Sequence, residues 1–259
     1  MKHSILLLVV SLLFPVFSQA EEFPGRATYP AVKVYETAQL NQDFANVIMV
    51  DVRSEYEFDT LHINNALNIP LNSKSFRKDL AALQNQNKPI VFYCNGHTCY
   101  KSYKAWIKAD KAGINNIYVY DSGVFDWAKA HPEKATMLGK TPVNTNHLLS
   151  KKELEKYLLQ PKDFTAKVDE STLILDIREP SQRGLIELFP YRQENISLDN
   201  KKNLDQFLNK VKQSGKTLLV YDESGKQVRW LQYYLIDKGI QNYFFMAGGL
   251  KQYFKDNKS

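Results

Sequence analysis

The feature that most constrains the fold of this chain is a repeat. Ile48-Met49-Val50-Asp51-Val52-Arg53 returns as Leu173-Ile174-Leu175-Asp176-Ile177-Arg178, 125 positions on from Asp51 to Asp176. The run ending at Cys94 (Ile90-Val91-Phe92-Tyr93) returns as Thr217-Leu218-Leu219-Val220-Tyr221 ending at Asp222. Ile117-Tyr118-Val119-Tyr120 before Gly123 returns as Tyr243-Phe244-Phe245-Met246 before Gly248-Gly249. Helical patterns separate these runs, over 76–84 and 101–112 in the first copy and over 151–159 and 227–238 in the second. Short continuous apolar strands alternating with amphipathic helices specify a mainly parallel sheet covered on both faces. The expected fold class is therefore α/β, built twice: one unit over 31–135 and another over 148–256. Residues 136–147, with Gly139, Pro142 and several Asn and Thr, read as the linker.

The first twenty residues belong to neither unit. Lys2 and His3 precede an almost wholly apolar run from Ile5 to Phe17, and Ser18-Gln19-Ala20 places small residues before Glu21-Glu22. That pattern is a secretory signal peptide over 1–20, too short in its apolar part to span a bilayer. The expectation is an exported chain, periplasmic or secreted, and not membrane-embedded after cleavage. Of 259 residues, 239 then remain, and the formal charge of +6 falls to +5 with the loss of Lys2. The basic residues are scattered (Lys151-Lys152, Lys201-Lys202, Lys210, Lys212), which describes a solvated surface and argues against nucleic acid as the partner.

Both cysteines of the chain, Cys94 and Cys99, lie in one loop, Cys94-Asn95-Gly96-His97-Thr98-Cys99-Tyr100, between a strand and the helix that opens at Lys101-Ser102. A thiol at a strand end facing a helix N-terminus sits where backbone N–H groups converge, which favours thiolate and hence nucleophilic chemistry. A bond between the two would close a loop of only four residues and constrain little of the unfolded chain, so chemistry explains the pair better than stapling does. Cys99 is either a resolving thiol or a loop residue turned into the domain. His97 either assists the sulfur as an acid or is a solvated loop residue. Cys94, His97 and Cys99 crowd three soft ligands into six residues, which matches no ordinary zinc spacing, so no metal and no other cofactor is expected.

Asp51-Val52-Arg53, Glu57-Phe58, His62-Ile63, Ala66, Asn68-Ile69-Pro70, the cysteine loop and the Gly123 turn together resemble the rhodanese (sulfurtransferase) family. The resemblance extends more weakly over 148–256, where no His-Ile or Asn-Ile-Pro counterpart is evident. It implies two rhodanese-like domains, a tandem layout, and a Cys94 persulfide cradled by loop amides. Lys101 then stands where the family places an arginine and Ser102 at its serine. Lysine keeps the charge but loses the bidentate fork.

Two departures stand out. From Cys94 to Gly113 is 19 positions but from Asp222 to Gly239 only 17, so the first loop is two residues longer than the family's usual one. Longer loops are associated with phosphatase and arsenate reductase relatives. The second is Asp222, which cannot form a persulfide and should cap its own helix, leaving the second domain silent and shaping access to Cys94.

The expected function is a sulfurtransferase. Cys94 would take sulfane sulfur from an anionic donor, thiosulfate-like or polysulfide, with Asn95, Gly96, Thr98, Tyr100, Lys101 and Ser102 as substrate contacts. A thiol, a protein acceptor or Cys99 would then take it. The alternatives are a thiol–disulfide redox protein using Cys94 and Cys99, and a non-catalytic rhodanese-like binding module.

Overall fold

The computed structural model describes residues 23–184 and 186–257; the signal-peptide reading of 1–20 lies outside them. In the first unit a short helix α1 (Pro24–Thr28) and α2 (Thr37–Asp43) lead into strand β1 (Ile48–Asp51). Helix α3 (Glu55–Thr60), β2 (Leu61–Ile63), β3 (Leu67–Asn68), α4 (Phe76–Leu83) and β4 (Ile90–Tyr93) follow. Helix α5 (Lys101–Asp110), β5 (Ile117–Tyr120), α6 (Gly123–Ala130) and β6 (Ala135–Met137) complete the unit. The sheet runs β3-β1-β4-β5 with parallel neighbours, and Asp51 sits level with Tyr93.

The second unit repeats the plan. It comprises α7 (Lys151–Glu155), β7 (Leu158–Leu159), α8 (Pro161–Ala166), β8 (Thr172–Asp176), α9 (Pro180–Arg183) and β9 (Gln193–Asn195). Helix α10 (Lys201–Ser214), β10 (Thr217–Tyr221), α11 (Val228–Asp237), β11 (Tyr243–Met246) and α12 (Gly249–Asp256) follow. Its sheet order is β7-β11-β10-β8-β9, again parallel.

Strand periodicity explains the layering. Ile48, Val50, Ile90 and Phe92 point to one face, against Phe76, Leu80, Ala105 and Ala109 of α4 and α5. Met49, Val91 and Tyr93 point to the other face, where they join a single core with Leu218, Val220, Trp230 and Leu231 of the second unit. The two repeats are therefore fused through one apolar layer. Phe125 of α6 stacks on Trp230 of α11 at 5.4 Å, and Tyr56 meets Tyr234 edge-on at 6.1 Å. The Tyr56 amide donates to Asp199 at 2.8 Å, and Lys201 reaches Glu55 and Asp59. Tyr120, Tyr233 and Phe245 lie in the same core.

Three expectations change. The segment taken as linker begins with structure: β6 runs antiparallel to β2, and Met137 and Val143 are buried in the shared core. The polar composition between them masked apolar residues spaced to face inward. Helix α7 stops at Glu155, and Leu158–Leu159 form the edge strand beside Phe245-Met246. Pro161 disfavours helix in the residue before it, and the sheet edge offers pairing instead. Finally, the second copy does have an Asn-Ile counterpart. Asn195 sits level with Asp176 as Asn68 does with Asp51, and the Ile196 and Ile69 amides donate to the two Asp carbonyls at 3.0 and 2.9 Å.

Candidate active site

Each repeat carries the same buried ion pair beneath its strand ends. Arg53 folds back on Asp51, with Nε 2.9 Å from Oδ1, and its Nη2 donates to the Leu61 carbonyl at 2.6 Å. Arg178 does the same with Asp176 and the Ile186 carbonyl at 2.7 Å. Both arginines are essentially inaccessible. Burial alone would favour losing the Arg53 charge, but the Asp51 carboxylate more than offsets it and holds the guanidinium protonated. The pair fixes the turn after β1, and Asp51 and Arg53 are structural groups in both copies. His62 is likewise engaged within its own segment, Nδ1 lying 2.8 Å from the Phe58 carbonyl.

Above this pair stands the cysteine loop. Cys94 follows β4 and is buried, and its carbonyl accepts from the Val124 amide at 3.0 Å. Gly123, at φ +71°, lets α6 approach the loop: a Cβ there would fall 2.3 Å from the Gly96 nitrogen. Gly96, at φ +138°, would meet the Ser122 carbonyl at 2.7 Å if it bore a Cβ. These two glycines press the loop between β4 and α6.

Cys94 and Cys99 are joined by a disulfide, with Cα atoms 6.4 Å apart, inside the ordinary range for such a bond. Cys99 is partly buried against the same apolar layer as Cys94 and is the more exposed residue of the two. The Cys99 carbonyl lies 3.2 Å from Cys94 Sγ, and Ser102 Oγ lies 3.5 Å from it. The Cys99 amide donates to the Gly96 carbonyl at 2.7 Å. In this oxidised form, then, a carbonyl oxygen occupies a place where the sequence suggested amide hydrogens.

The ring of side chains around the loop is one of matched charges. Glu57 is the N3 residue of a capping box opened by Ser54. Its carboxylate accepts from Asn95 Nδ2 at 3.3 Å and from Lys101 Nζ at 3.2 Å, while Arg53 Nη1 donates to Asn95 Oδ1 at 3.2 Å. Burial pushes the Glu57 carboxyl up, yet Lys101, Arg53 and the Ser54 amide outweigh it and hold it below the usual range. His97 Nε2 sits 2.6 Å from Asp126 Oδ2, and its ring stacks on Phe23 at 4.3 Å. Arg26 pairs with Asp121, which also accepts from the Tyr103 hydroxyl at 2.6 Å. Tyr100 leans on Tyr29 at 6.1 Å, and Thr98 is exposed.

Of the residues expected in the site, the structure gathers Cys94, Cys99, Ser102 and Asn95 closely. Lys101 is turned to Glu57. Glu57 and Asp126 are the site residues that the sequence reading missed; the Ser-x-x-Glu pattern at 54–57 was the available signal for the first. Among the described residues, no three His, Cys, Asp or Glu side chains gather in a metal-holding group.

The second copy shows what an assembled cradle looks like. Asp222 occupies the strand-end position and is fully buried. Its Oδ1 accepts from the Ser224 amide at 3.0 Å and from the Gly225 amide, and its Oδ2 accepts from the Gln227 amide at 2.6 Å. Burial raises its carboxyl above the ordinary aspartate value against the pull of these amides.

A rhodanese-like domain model matches residues 34–130 and again 160–256. The chain belongs to the rhodanese-like domain family. Its sheets are the family's α/β architecture present twice, a tandem arrangement. Relatives include the tRNA uridine(34) hydroxylase of Erwinia tasmaniensis, 31% identical over 97 residues, which are 36% of this chain and 27% of that protein. The protein of the same name from Sodalis glossinidius is 29% identical over 107 residues, 39% of this chain and 29% of its own length. The chain thus spans less than a third of these curated relatives. Among solved structures, a thiosulfate sulfurtransferase from Pseudomonas aeruginosa aligns with 88% of this rhodanese-like chain and 43% of its own, at 18% identity and a TM-score of 0.41. An As-Sb reductase from Leishmania major aligns with 40% of this chain and 84% of its own, at 17% identity and a TM-score of 0.35.

Proposed function

We propose that this protein is an exported sulfurtransferase in which Cys94 carries sulfane sulfur and Cys99 resolves the carrier. The observation that carries the reading is the Cys94–Cys99 bond at the end of β4 in one repeat, set against an aspartate filling the same position in the other. In the reduced protein the Cys94 thiolate attacks the outer sulfur of a donor. The donor's sulfur–sulfur bond breaks, the remainder leaves with the electron pair, and Cys94 becomes a persulfide. The Cys99 thiol then gives its proton to the departing sulfur and attacks Cys94 Sγ. Hydrosulfide leaves and the loop disulfide remains, two cysteine electrons having reduced one sulfane sulfur. A competing thiol can instead take the outer sulfur directly, which is transfer without oxidation.

The matched charges bear on the donor. Because Glu57 already neutralises Lys101, a polysulfide of low charge suits this loop better than a dianion such as thiosulfate. The second domain contributes no sulfur chemistry; Trp230 lies over the Arg53 guanidinium at 5.1 Å and closes that side of the site. The tRNA chemistry named for the curated relatives is not carried over, since the shared segment is a fraction of their length. The test is a Cys99→Ser variant, reduced and then treated with polysulfide. Mass spectrometry should find a one-sulfur adduct on Cys94; its absence refutes the carrier role.

A second reading, dithiol–disulfide exchange without sulfane chemistry, is favoured by the same bond. It predicts turnover of disulfide substrates by the wild type and no sulfur adduct in the Cys99→Ser variant.

A further inference from the structure

Beside the cysteine loop runs a stripe of cations of which the proposed chemistry uses only Lys101. Lys101, Lys104, Lys108 and Lys111 recur at spacings of three and four along α5 and its C-terminal residue, a spacing that places side chains on one face of a helix. The last three, with Arg77 of α4, line a surface groove of about 300 Å³ together with Tyr29 and Ile107. Lys104 to Lys111 spans about 10 Å at the helical rise. Lys108 is fixed in place, its Nζ donating to the Leu71 carbonyl at 2.8 Å and lying over the Phe76 ring. No ion pair joins Arg77, Lys104 or Lys111 to any described residue, in contrast to the matched charges around the loop. Asp79 and Asp110 are the acidic residues of these two helices, and neither lines the groove. The groove is also continuous with the site: Tyr29 in its wall stacks on Tyr103 at 5.3 Å and contacts Tyr100, the residue after Cys99.

We infer that this groove docks an acidic segment of a protein dithiol that reduces the Cys94–Cys99 disulfide. The inference rests on the reading of that disulfide as a product of turnover, which must be reopened by an external reductant. The occupant follows from two properties together. Unpaired cations call for carboxylates, and the neighbouring disulfide, with Cys99 only partly buried, calls for a thiol, which a nucleic acid does not bring. One partner thiolate attacks Cys99 Sγ, the disulfide breaks and Cys94 leaves as thiolate. The partner's second thiol then attacks the mixed disulfide, releasing Cys99 as a thiol and leaving the partner oxidised by two electrons. The stripe steers encounter through charge, so its effect falls on the association rate and weakens with salt.

The test uses two synthetic Cys-x-x-Cys peptides of equal length, one flanked by glutamates and one by lysines, with dithiothreitol as an uncharged control. Reduction of the disulfide in the full chain is followed by mass spectrometry at low ionic strength. The acidic peptide should act about tenfold faster than the basic one. That preference should disappear in a variant carrying Lys104→Glu and Lys111→Glu, while dithiothreitol reduces both proteins equally. Equal rates with the two peptides, an unchanged preference in the variant, or blockage of the acidic peptide by an equally charged single-stranded oligonucleotide at lower concentration would overturn the inference. Because the assay reads disulfide reduction alone, failure of the sulfur-carrier reading would appear separately, in the adduct experiment.

Discussion

Replacing Asp222 with alanine tests whether the strand-end loop of the second repeat is an anion cradle. The carboxylate removed accepts three backbone amides, from Ser224, Gly225 and Gln227, in a fully buried position. Hydrogen bonds to a charged group are worth about 1.5–3 kcal/mol each, so the lost donations come to roughly 4.5–9 kcal/mol. Against this stands the recovered cost of burying the charge, several kcal/mol for a buried ion, which is the same burial that raises the Asp222 carboxyl. Because burial outweighs the amides for the charged carboxyl, these two effects largely cancel, and the net loss is that of buried amide hydrogens left unpaired, about 1–3 kcal/mol. The alanine methyl leaves a space the size of a carboxylate lined by the freed amides, and formate fits it. At a formate concentration ten times its dissociation constant, binding should return about 1.4 kcal/mol. Urea unfolding with formate against chloride at equal ionic strength reads both effects. An Asp222→Ala protein as stable as the wild type, or formate protection of equal size in both proteins, would refute the cradle.

Two further perturbations probe the first repeat. Glu57 is held below its ordinary value when folded, so its contribution to stability is present above the unfolded carboxylate range and is lost as pH falls through the folded value. Lys101→Met removes one of the charges responsible and brings the folded value closer to the unfolded one, so the acid loss of stability in urea midpoints should be smaller and end at higher pH; an unchanged profile would contradict the ion pair. Gly123→Ala places a methyl against Gly96 and Asn95 backbone at a positive φ, and should cost well over 1 kcal/mol and slow closure of the Cys94–Cys99 disulfide after reduction. Unaltered closure, followed by thiol alkylation, would show that α6 does not position the loop.

Much of this was legible because parallel strands buried on both faces write themselves as continuous apolar runs. Ile48 to Asp51, Ile90 to Tyr93 and their later copies announced both sheets and the strand-end place of Cys94. The Ser150–Glu153 capping box marked the start of α7 in the same way. What stayed hidden depends on contacts distant in sequence. Met137 becomes strand only through pairing with Leu61, and Leu158 only through Phe245. Asn195-Ile196 is recognisable as the Asn68-Ile69 equivalent by its register with Asp176, since the following proline is absent. Lys101 is a helix-start cation in the sequence, but Glu57, 44 residues earlier, decides where its charge is spent. The oxidised loop likewise turns the Cys99 carbonyl toward Cys94, which loop length alone does not foretell.

The measurement closest to the central claim is a single turnover of the reduced wild-type chain with polysulfide, counting hydrosulfide released and protein disulfide formed together. The account predicts one hydrosulfide for each Cys94–Cys99 bond closed and neither product from Cys94→Ser. Hydrosulfide released equally by Cys94→Ser, or disulfide formed without it, would contradict the account.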